Sequence, residues 1–134
     1  MLGSPQWKPY LDILLADPVV RTAGIFGKDG AIWAAQDDLA MNAGEIRDLV
    51  AGFIDPAKLS QLGILVVGVK YLYTGTLESG QGGQRVISGR KAGASVLATP
   101  TGRGLIVVLT REGSNPANAS KHLLVAADLI KKGI

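Results

Sequence analysis

Ile25-Phe26-Gly27-Lys28-Asp29-Gly30-Ala31-Ile32-Trp33 is the stretch that decides the fold class of this chain. Apolar residues flank Gly27-Lys28-Asp29-Gly30, a link made of residues that tolerate tight reversal. The segment therefore predicts a hairpin of two strands, Arg21 to Phe26 and Ala31 to Ala35. Helical patterns lie on either side of it. Upstream, Trp7, Tyr10, Leu11, Leu14 and Leu15 follow helical spacing, and Pro9 falls in the first turn, where a missing N–H costs nothing. Asp17-Pro18 stops that run. Downstream, Asn42 is an N-cap with Glu45 three residues on. Ile46, Leu49, Val50 and Phe53 then share one face of a helix from Asn42 to Ile54, ended by Asp55-Pro56.

The remainder reads mainly as strand. Ala57 to Gln61 adds a short helical turn. Ile64-Leu65-Val66-Val67, Tyr71-Leu72-Tyr73-Thr74, Arg85-Val86-Ile87, Ala94-Ser95-Val96-Leu97 and Leu105 to Leu109 are apolar runs of strand length. Gly89, Gly93, Gly102 and Gly104 punctuate them, and Ser79 to Gln84 is a Gly-rich loop. A last helix opens at Asn115-Pro116, buries Leu123, Ala127 and Ile130, and closes on Lys131-Lys132-Gly133. This order predicts one α+β domain over residues 1–134. Its central, mostly antiparallel sheet carries the N- and C-terminal helices on one face and the smaller helices on the other.

At 134 residues the chain is long enough to bury a core without staples. Mean hydropathy is high, at +0.25, yet no apolar run approaches the ~20 residues that span a membrane. No signal peptide is legible, and the absence of Cys fits a reducing compartment, so a cytoplasmic location is expected. Charge is lopsided. Residues 1–69 hold five Lys/Arg against eight Asp/Glu, a net of −3, and residues 70–134 hold nine against three, a net of +6. The basic half suits an acidic protein face or an anionic headgroup. Nucleic acid fits least, because the basic residues are scattered and lack interleaved aromatics.

Catalytic signatures are sparse. The single His122, the lack of Cys, and the lack of a Ser in a G-x-S-x-G setting leave little from which to build a nucleophile and base. Asp37-Asp38 has no partner set for a metal, and Gly80-Gln81-Gly82-Gly83 lacks the Lys-Ser/Thr of a phosphate loop. No enzyme activity, metal or cofactor is expected. The aromatics invite a different reading. They are 5% of the chain, yet both tryptophans lie within the first 33 residues. Trp7, Tyr10 and Trp33 either fill the core between helix and sheet or form an exposed shelf. Such a shelf matches the flat rings and carbonyl acceptors of a polyproline II segment.

The order of motifs resembles the profilin family of small actin-monomer-binding proteins. Trp7-x-x-Tyr10-Leu11-Asp12, Gly30-Ala31-Ile32-Trp33-Ala34, Gly68-Val69-Lys70-Tyr71, the basic turn Gly89-Arg90-Lys91-Ala92-Gly93 and Arg111-Glu112-Gly113 carry the resemblance over nearly the whole chain. It implies a monomeric cytoskeletal protein that binds monomeric actin through Lys70, Arg90, Asn115, Asn118 and Lys121. It also implies that Trp7, Tyr10 and Trp33 bind proline-rich proteins. Leu129 stands where the family has an aromatic, so that binding should be weaker than is typical. Acidic phosphoinositides are expected to compete at Arg90 and Lys91. A roadblock- or longin-like dimeric scaffold for a small GTPase is the alternative, suggested by the Asp-Gly hairpin beside a long helix.

Overall fold

The computed structural model describes residues 2–78, 85–113 and 123. Among them, eight strands form one sheet in the order β1-β3-β2-β8-β7-β6-β5-β4, and every neighbouring pair is antiparallel. The strands are β1 (Leu2–Gly3), β2 (Val20–Gly27), β3 (Ile32–Ala35), β4 (Ile64–Val66), β5 (Val69–Glu78), β6 (Arg85–Lys91), β7 (Ala94–Pro100) and β8 (Gly104–Thr110). Among the described residues three α-helices accompany them: α1 (Lys8–Leu15), α2 (Ala43–Gly52) and α3 (Ala57–Leu62).

Strand alternation divides the core in two. Along β8, Leu105, Val107 and Leu109 enter one cluster, and Ile106 and Val108 enter the other. The first cluster lies under α2 and α3, with Ile46, Leu49 and Leu59. The second lies under α1, with Leu11 and Leu14. Leu123 is helical and wholly buried in the α1 cluster, so this residue lies on the same face as α1. The expected two-sided α+β arrangement is therefore the observed one. The expected last helix otherwise falls outside the described residues, with Asn115, Pro116, Ala127 and Ile130, as do His122 and residues 79–84.

Local chemistry accounts for the element ends. The Asn42 side chain accepts from the Glu45 N–H at 2.9 Å while the Glu45 carboxylate accepts from the Asn42 N–H at 3.1 Å, the reciprocal cap expected from the sequence. Asp17 ends α1 by accepting from the Val19 N–H at 2.9 Å, and Arg85 donates to the Phe53 carbonyl where α2 ends.

Leu2–Gly3 is a strand too short for any periodicity to reveal. Three expectations need correction. Gly89 does not punctuate; it sits inside β6 at van der Waals range of Ile64 and Val96, where a side chain would not fit. Arg90 and Lys91 therefore end a strand, and the reversal is made by Ala92 and Gly93. Val67 is not strand but the first residue of a turn.

Candidate binding surfaces

The first surface is aromatic. A 3₁₀ turn over Pro5–Trp7 leads into α1 with Trp7 at its N-cap and Pro9 in its first turn, so no backbone donor is lost. Trp7 and Tyr10 share one edge, with ring centroids 5.8 Å apart and planes tilted 47°. Trp33 stacks on Trp7, with centroids 4.7 Å apart and planes within 16°. All three rings are half-buried and pack against the α1 cluster. The two readings of these residues thus meet in one arrangement: part of each ring closes the core and part faces solvent.

Trp33 reaches that position through a β-bulge. Ile25 pairs with Ala34 and Phe26 with Ile32, so Trp33 is the extra residue of β3 with no opposite number. Strict alternation would send consecutive residues to opposite faces. Instead Trp33 and Ala34 both serve the α1 cluster, while Ile32 and Ala35 serve the other. The bulge re-aims the indole toward Trp7. The sequence carries no legible signal for it. The N-terminal segment is tied to the same place, because Ser4 donates its N–H to the Trp33 carbonyl at 2.7 Å.

The second surface is basic. Tyr71 and Tyr73 of β5 and Ile87 of β6 face the α2 cluster, so Lys70, Leu72, Ser88 and Arg90 emerge on the opposite side. Register makes them neighbours: Lys70 lies across from Leu65, and Leu72 across from Arg90. Leu65 and Leu72 are 45% and 67% exposed, which leaves a solvated leucine beside each cation. Among the described residues neither Lys70 nor Arg90 makes an ion pair. Lys8, Arg21 and Lys58 of the N-terminal half are paired with Asp12, Asp38 and Asp48. Asp38 also accepts from the Thr22 hydroxyl at 2.6 Å, a structural use of half of the Asp37-Asp38 pair. Lys91 follows Arg90 within β6, so the two side chains diverge instead of forming one basic cluster. Asn115, Asn118, Lys121 and Leu129 lie outside the described residues.

A buried carboxylate underlies this basic edge. Glu45 of α2 accepts from the Val67 N–H at 3.1 Å and the Gly68 N–H at 2.8 Å, in addition to its cap. Val67 and Gly68 both have positive φ, +50° and +76°, the pattern of a type I′ two-residue hairpin closed by the Val66–Val69 pair. A β-branched residue resists that conformation, and two hydrogen bonds to one carboxylate hold it there. Two residues ending in Gly between apolar runs are the sequence signal for this turn. Glu45 itself was legible only as a cap.

With this geometry in place, comparison with known proteins is informative. The profilin family model matches residues 5–134. Profilin-A of Physarum polycephalum is 32% identical over 128 residues, covering 95% of this chain and 97% of that protein. The crystal structure of Acanthamoeba castellanii profilin II superposes with a TM-score of 0.80 at 25% identity, covering 96% of this chain and 99% of the other. The profilin of a LokiProfilin2/rabbit actin complex shares the fold with a TM-score of 0.73 at 16% identity, covering 98% and 99%.

Proposed function

The chain belongs to the profilin family, and we propose that it is a regulator of actin assembly that binds monomeric actin through the Lys70–Arg90 face. The observation that carries this reading is the pair of cations left without an internal partner among the described residues, beside exposed Leu65 and Leu72. Such a surface offers an acidic protein both charge complementarity and apolar contact. Asn115, Asn118 and Lys121 complete the expected contact set. Membership in this family takes the place of the roadblock- and longin-like alternative and supports a binding protein rather than an enzyme. It acts as a single domain, a monomer in the cytoplasm at the cytoskeleton. Pyrene-actin polymerisation tests the proposal: excess protein should lengthen the nucleation lag, and an unchanged lag would refute it.

A second reading rests on the stacked aromatics. Trp7, Tyr10 and Trp33 receive proline-rich segments, whose stiff backbone loses little entropy when it docks on preset rings. Leu129 removes one stacking surface and one hydrogen-bonding tip, so the binding is weaker than in profilins with an aromatic there. Tryptophan fluorescence on titration with polyproline tests it. Phosphoinositide headgroups compete with actin for Lys70 and Arg90, which share a face, more than for the diverging pair Arg90 and Lys91. Co-sedimentation with phosphoinositide vesicles in rising salt checks that competition.

A further inference from the structure

We propose that Gly27 and Gly104 are positioning residues for the aromatic shelf. Together they make a floor without side chains on which the Trp33 indole lies flat. The two glycines face each other in register across β2 and β8. A Cβ on Gly27 would come within 2.9 Å of Trp33 Nε1 and 3.3 Å of Cε2, and one on Gly104 within 2.7 Å of Trp33 Cζ3. Nε1 and Cζ3 lie on opposite edges of the ring, so the face of the indole covers the pair. The other face takes Trp7, because a centroid separation of 4.7 Å at 16° is too short for rings lying side by side. The order is thus glycine floor, Trp33, Trp7.

Neither glycine has a φ in the left-handed region, so what these positions require is space and not backbone freedom. A third glycine delivers the upper ring. Gly3 has φ of +93°, and a Cβ there would fall 2.1 Å from the Trp33 carbonyl oxygen, so only glycine lets the segment leading to Trp7 pair this closely along β3. Methyl groups on the floor would lift or tilt Trp33 and with it the stack. This inference rests on the proline-rich reading for its consequence in binding, but its geometric content stands apart from that reading.

Gly27→Ala is the sharper probe, since the atoms nearest its new methyl belong to the Trp33 ring and the Asp29 side chain, whereas one at Gly104 also meets the Phe26 carbonyl and the Thr101 hydroxyl. Gly102→Ala, which has nothing within 4 Å, is the control. Two readouts are needed: the exciton-coupled circular dichroism of the stacked indoles, and polyproline titration. The expected result is that Gly27→Ala loses the couplet and binds polyproline about tenfold more weakly, the loss of roughly one aromatic contact. Gly102→Ala should keep both. A couplet that survives Gly27→Ala overturns the floor. If wild type itself fails to bind polyproline, the proline-rich reading falls, while loss of the couplet in Gly27→Ala still supports the floor. Should Gly27→Ala fold poorly, Trp33→Phe in that background vacates the space and should recover stability; absence of coupling between the two substitutions overturns the proposal.

Discussion

The aromatic end of the sheet and its basic end are organised by opposite means. At the β3–β2 end, Trp33 is aimed by a bulge, floored by backbone and covered by Trp7, so the side chains that would meet a ligand are already locked to one another. At the β4–β5–β6 end, Lys70 and Arg90 are brought together by register alone and touch no charge of opposite sign among the described residues. There the rigidity lies one layer down, in the Glu45 carboxylate that clamps the β4–β5 turn. A stiff, weakly polar ligand gains from preset rings, because little entropy is lost on docking. A folded protein partner brings its own charges and gains from cations not already satisfied. With β8 and β7 between them, the two ends should respond to mutation independently.

The largest expected effect tests the clamp. Glu45→Ala removes the acceptor of two turn N–H groups and half of a capping box, and should lower unfolding free energy by about 3 kcal/mol in urea titrations. Loss of under 1 kcal/mol would show that the turn holds itself. Next comes the basic end. Lys70→Glu with Arg90→Glu should weaken the actin complex by roughly 1–3 kcal/mol while polyproline titration stays unchanged; parallel loss of both would erase the distinction between the ends. At the aromatic end, Trp7→Ala should cost about 1–2 kcal/mol of polyproline affinity with actin binding intact, and Leu129→Tyr should tighten polyproline roughly tenfold. Smallest of all, Val67→Gly relieves a β-branched residue at φ +50° and should stabilise the fold by about 1 kcal/mol. If thermal unfolding instead shows destabilisation, the apolar cover from Val67 outweighs its strain.

The contrast also explains what the sequence could disclose. Helical spacing exposed Trp7 and Tyr10, the cap exposed Asn42 and Glu45, and an unbroken apolar run of strand length exposed β8, because each signal lies within a few residues of chain. The site geometry depends on coincidences across strands. Nothing near Trp33 announces that it is the extra residue of a bulge, and nothing near Gly104 tells that it lies opposite Gly27. The same limit misread Arg90 and Lys91 as one basic turn, since a Gly-flanked pair looks like a reversal until β6 is seen to run through it. Lys70 and Arg90 were named from resemblance, but their juxtaposition through Leu72 is a property of register.

The central claim is that the β5–β6 cations, unpaired among the described residues, serve a protein partner. Equilibrium binding of the wild-type chain to fluorescently labelled monomeric actin, against the Lys70→Glu/Arg90→Glu variant and across rising salt, tests it most directly. The account predicts saturable binding by wild type that weakens with salt, and a complex roughly tenfold or more weaker in the variant. Wild-type binding that is absent, or equal in the variant and indifferent to salt, would contradict it.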